Sequence, residues 1–160
     1  MLERTAKTIS TILIAIGAAI LFLMMLLTAL DVGLRYIFNR PLPGAFELVE
    51  YMMAIVIPFS IAYCAQERGH VSVELILGRF PKKVQVAVEC LMTFVAMIFS
   101  IIVAWQNFLY IGEVYHSHLT SSVLLIPTYP FVIPVVLGIA TFALMLLLHL
   151  IEMISKVKSA

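Results

Sequence analysis

Between charged residues the sequence falls into four apolar blocks, approximately 9–30, 46–65, 84–111 and 123–151. Each is long enough to cross a bilayer, whose hydrocarbon core takes about 20 helical residues. The blocks are rich in Leu, Ile, Val and Ala without the alternation of barrel strands, so helices that satisfy their own backbone hydrogen bonds are the viable spanning structure. Composition agrees: 63% of residues are hydrophobic and 12% charged, whereas soluble domains run at about 45–50% and 25%. The expected fold is an all-α membrane bundle of four transmembrane helices. A length of 160 residues leaves room for one membrane domain, with spans near 9–36, 45–66, 82–112 and 126–155, and for no extramembrane domain.

Lys and Arg in the short connections set the orientation. Arg4 and Lys7, then Arg68, Arg79, Lys82 and Lys83, then Lys156 and Lys158 share one side, against Arg35 and Arg40 on the other. This bias of eight to two places both termini in the cytoplasm. The first apolar block is longer than a signal-peptide core and lacks a small-residue cleavage site, so it is expected to stay attached as the first span. In the first connection Pro41, Pro43 and Gly44 break the helix and turn the chain back, with Tyr36 and Phe38 at headgroup depth. In the second, residues 71–80 read VSVELILGRF, apolar yet too short to span. Val71, Val73, Leu75, Ile76 and Phe80 beside Glu74 and Arg79 predict a short amphipathic helix lying in the cytoplasmic interface, after which Pro81 opens the third span.

The remaining chemistry is sparse. Net charge is +1 and the basic residues are dispersed, which excludes a nucleic-acid footprint. Cys64 and Cys90 form no CxxC pair, and no metal or redox site is indicated. His70, His116 and His118 lie in connections and His149 near the end of the last span, so no imidazole pair meets at mid-membrane to ligate haem. Thr28, Ser60, Thr93, Ser100 and Thr141 have no buried base in reach; bonding to helix carbonyls or bridging helices is their expected use. No enzyme is indicated, and no cofactor. Residues 9–30, 90–112 and 123–148 carry no Asp, Glu, Lys or Arg. An autonomous pump of this size needs such a group near mid-bilayer.

The candidate residues therefore sit near span ends. Asp31 and Arg35 are four apart on one helical face, which fits an interfacial ion pair or an Arg35 that faces a partner protein. Glu47 and Glu50, three apart at the start of the second span, either compensate the helix dipole or pair with Arg35 or Arg40 to close the corner. His70 and Glu74, four apart, would support the interfacial helix. Glu89, about two turns inside the third span, is a hydrogen-bonding group or a proton relay. Gly17 with Ala18 and Ala19, and Gly138 with Ala140, offer surfaces for close helix approach. Pro127, Pro130 and Pro134 are expected to break or bend the first turns of the fourth span. An autonomous small transporter, a four-helix membrane oxidoreductase subunit and a membrane assembly helper remain as competing functions.

In order and spacing these features resemble a known family over nearly the whole chain. The first span ends in an acid and RYIF at 35–38, a Pro/Gly corner follows, and carboxylates open the second span. HVSVE at 70–74 precedes the amphipathic segment and Pro81, and SSVLLIP at 121–127 leads into the last span. This pattern is similar to the small membrane subunit of tripartite ATP-independent periplasmic (TRAP) transporters. The chain departs from it in having no Trp in the second span and Tyr129 where relatives often have Trp. The resemblance implies a small subunit of the bacterial inner membrane that braces a stationary scaffold. A large membrane subunit would carry the substrate and sodium sites, and a periplasmic substrate-binding protein would deliver an organic acid. With Asp31, the matched positions Arg35, Tyr36, Arg40, Glu47, Glu50, His70 and Glu74 are expected to carry structure and partner contact.

Overall fold

A computed structural model describes the backbone of residues 2–67 and 82–158 and the side chains of 5–67 and 84–154. Its helices are α1 (Leu2–Phe38), α2 (Ala45–Gln66), α3 (Lys82–His116) and α4 (Tyr129–Lys158). All four are long and apolar enough to cross a membrane. The segment expected as an interfacial helix, with His70, Val71, Val73, Glu74, Leu75, Ile76 and Phe80, lies outside the described residues. α1 and α3, of 37 and 35 residues, extend over 50 Å at about 1.5 Å per residue and overrun a core of about 30 Å. α2, with 22 residues, only just spans it. α4 starts later than the block pattern indicates and runs without a break through Pro134. Pro130 sits in its first turn, where a missing N–H leaves nothing unpaired. The hydroxyls of Thr28, Ser60, Ser100 and Thr141 each bond to the carbonyl one turn back, at 2.8–2.9 Å.

The helices pack as an open row in the order α1, α2, α4, α3, with α1 only grazing α4. α2 and α3, consecutive in the chain, make no extensive contact. Central and edge helices differ accordingly: 28% of the most apolar window of α2 and of α4 is buried, but 6% of that of α1 and of α3. α1 turns a single stripe inward, composed of Ala6, Ser10, Leu13, Gly17, Ile20, Met24, Leu27, Asp31 and Leu34. The alternating 4 and 3 spacing is the seam of left-handed helix packing. α4, flanked on both sides, keeps one exposed stripe at the same period: Ile133, Leu137, Ala140, Leu144, Leu147, Ile151 and Ile154.

Glycines set the closest approaches. Phe59 is 5% exposed and lies between Gly17 of α1 and Gly138 of α4. A Cβ on Gly17 would meet the Phe59 Cβ at 3.7 Å, an ordinary contact. One on Gly138 would lie 2.5 Å from the Pro58 Cβ and 2.9 Å from the Pro58 carbonyl carbon. Backbone cannot move aside as a side-chain tip does. Gly138→Ala should therefore destabilise the chain by about 1–3 kcal/mol through overpacking, while Gly17→Ala should be near neutral. Thermal unfolding of the purified chain in detergent compares the two.

Candidate functional site

The two connections at the end where α1 leads into α2 and α3 into α4 are built against each other. α1 ends at Phe38, and Asn39 turns the chain with a left-handed φ of 52°. Asp31, on the inward stripe one turn before Arg35, then serves two donors. Its Oδ2 accepts from the Arg35 guanidinium at 2.9 Å, and its Oδ1 accepts from the Leu42 amide at 2.8 Å. Its side chain is 13% exposed and that of Arg35 64%. Because Pro41 and Pro43 have no N–H, the Leu42 amide is the sole backbone donor among those three residues. Asp31 thus pins the returning chain while Arg35 keeps most of its surface open.

Gly44 caps the start of α2, and its φ of 76° favours glycine. A Cβ there would also fall 2.4–2.7 Å from the Leu124 side chain, so the connection between α3 and α4 is seated directly on this turn. That connection is a short hairpin. Ser121 N donates to the Ile126 carbonyl at 2.9 Å and Thr128 N to the Leu119 carbonyl at 3.1 Å, around an isolated bridge between Thr120 and Pro127. His118 and Leu125 adopt left-handed φ values of 49° and 54°.

Glu47 holds this hairpin from the first turn of α2. Its carboxylate accepts from Ser121 Oγ at 2.7 Å, Val123 N at 2.8 Å and Leu124 N at 3.0 Å. Bonds to an ionised acceptor are the stronger kind. One turn further, the Tyr51 ring stacks on Phe131 of α4 at 4.2 Å, and its hydroxyl lies 3.3 Å from Thr128 Oγ1. Tyr115 and Tyr129 meet edge to face at 5.6 Å, joining the end of α3 to the start of α4.

Neither reading of Glu47 anticipates this. It pairs with neither Arg35 nor Arg40, and its oxygens close a contact between two connections 74 or more residues apart in sequence. Glu50 is exposed and has no partner among the described residues. Tyr36, 91% exposed, and Arg40 also face outward. Ser121, Leu124, Tyr51, Thr128 and Phe131 escape sequence reasoning, although SSVLLIP carries a signal: consecutive amides in a loop with no carboxylate of its own need an acceptor from elsewhere.

At the opposite end Glu89 Oε1 lies 3.7 Å from His149 Nε2, linking α3 to α4 with side-chain exposures of 51% and 20%. Among the described residues no cluster of His, Cys, Asp and Glu is arranged to hold a metal ion. At the corner between the connections, the carboxylates of Asp31 and Glu47 sit at helix ends and hold backbone amides.

The family model for tripartite ATP-independent periplasmic transporters, DctQ component, matches residues 24–156. The chain belongs to that family. A DctQ component is part of a transporter, and with four apolar helices long enough to span the chain is a multi-pass membrane protein. The match takes in the whole corner from Asp31 to Phe131 and begins midway along α1. A search among curated proteins finds no match.

Removing the Glu47 carboxylate should release the hairpin without unfolding the row. In Glu47→Ala, hydrogen exchange at the Val123 and Leu124 amides should rise roughly tenfold or more. The Glu50→Gln variant, whose parent side chain touches neither amide, should leave them unchanged.

Proposed function

We propose that this DctQ component is the small scaffold subunit of a secondary, ion-gradient-driven organic-acid uptake transporter. It braces the large membrane subunit and presents its hairpin corner to a periplasmic substrate-binding protein. The supporting observation is the open row: two of four spans bury only 6% of their most apolar window, so most of the chain's side-chain surface is left for other helices or lipid to cover. The spans have no ionisable group near mid-bilayer with which to couple an ion gradient. Sodium and substrate sites belong, on this reading, to the large subunit, and the chain needs no cofactor of its own.

The setting follows from the same reading. Both termini face the cytoplasm of a bacterial inner membrane, by the excess of Lys and Arg on that side. This puts the Asp31–Glu47 corner and the 119–128 hairpin in the periplasm, where a binding protein arrives. Glu89, beside His149, links two helices and is not a proton relay.

Two expected outcomes test this. Vesicles containing the purified chain alone should take up no organic acid under an imposed sodium or proton gradient, while vesicles that add the large subunit and binding protein should. Uptake by the chain alone would defeat the proposal. In the complete system Glu89→Gln should retain uptake across the pH range, whereas a buried relay would lose it.

A further inference from the structure

The corner holds three carboxylates near the start of α2, and two are satisfied within the chain. Asp31 takes Arg35 and the Leu42 amide; Glu47 takes Ser121, Val123 and Leu124. Glu50 is exposed and takes none among the described residues. Its place makes this consequential. α2 has 22 residues, about 33 Å, and no overhang beyond the hydrocarbon core, so a charge five residues in stands at the edge of the apolar layer. Glu113 is a different case, because α3 overruns the core and carries it into water.

Glu50 also belongs to a face. α2 is covered by α1 on one side and α4 on the other, and what remains exposed is one stripe of Phe46, Glu50, Met53, Ile57, Ile61 and Cys64. The exposed stripe of α4 is wholly apolar and suits lipid tails as it stands. The α2 stripe does not, because an ion facing hydrocarbon without a partner is costly and such groups normally face protein or water. Resting on the functional reading above, we infer that this α2 stripe is the seam on which a transmembrane helix of the large subunit docks. That helix presents an Arg or Lys to Glu50 near its periplasmic end and packs apolar side chains along Met53, Ile57 and Ile61. A carboxylate at one end of an apolar seam fixes both the register and the direction of approach, since a helix displaced by a turn would leave both charges unpaired.

The experiment is site-directed photo-crosslinking in the complex formed with the large subunit. A photoreactive residue is placed singly at Met53 or Ile57 on α2, and for comparison at Leu144 on α4, Leu23 on α1 and Phe99 on α3. Adducts with the large subunit should form at the two α2 positions at several times the yield of the others. Adducts arising mainly from the comparison positions, or only between two copies of this chain, would overturn the seam and leave the brace function standing. Absence of any complex would remove the brace function and the seam together. Charge supplies an independent arm. Glu50→Lys should lower complex recovery roughly tenfold with unchanged thermal stability of the isolated chain, and second-site suppressors in the large subunit should replace a basic residue by an acidic one. Wild-type recovery of Glu50→Lys would refute the pairing.

Discussion

The carboxylate of Glu47 ties the start of α2 to the hairpin that leads into α4, and the contacts at this end of the molecule are arranged around it. Four apolar spans joined by short turns would by default sit next to their sequence neighbours. Here the start of α2 is tied to the start of α4, by Glu47 to the hairpin amides and by Tyr51 to Phe131. α4 is thereby placed beside α2, and α3 is left outside it. The three acceptor bonds, the Leu124 side chain over Gly44 and the stacked rings act within two turns of helix. Hydrophobic attraction cannot select an order among helices in a solvent as apolar as they are. Directional polar contacts at the membrane edge can.

Below that edge, selection passes to shape. Pro58 and Phe59 meet Gly138 with no room for a methyl group, while Gly17 receives the other side of Phe59. The inward stripe of α1 narrows to Ala6, Ser10 and Gly17 towards the end remote from the corner, where Ala6, Ala65 and Met145 form a small cluster. Polar ties at one end and small residues at the other hold the central helices against each other over their length.

Much of this was legible in the residues, for unequal reasons. Four spans, their helical nature and the Pro/Gly turn follow from run length and from backbone restrictions that act locally. The Asp31–Arg35 pair follows from helical spacing. The row was not legible, because in a span with apolar residues on every side the packed and exposed stripes have the same composition and periodicity carries little contrast. Gly17 is legible as a close-approach position, but Ala18 and Ala19 beside it are exposed, and only in hindsight do Ala6 and Ser10 complete the inner face of α1. The partner of Glu47 was hidden for a different reason: its donors are mostly backbone amides, which every residue supplies and no side-chain pattern marks. The resemblance to the TRAP small subunit drew instead on motif order, which survives ignorance of contacts, and the DctQ match over residues 24–156 bears it out.

The short length of α2 has a mechanical consequence. A helix with surplus apolar length absorbs a change in bilayer thickness by leaning, as α1 and α3 are free to do at the edges of the row. α2 has no surplus, and its first turn is fastened to the hairpin above it. Leaning would draw its ends inside the hydrocarbon, so the lipid must adjust to α2 instead. The second helix therefore works as a depth gauge, setting the height at which this slab of helices rides in membranes of different composition.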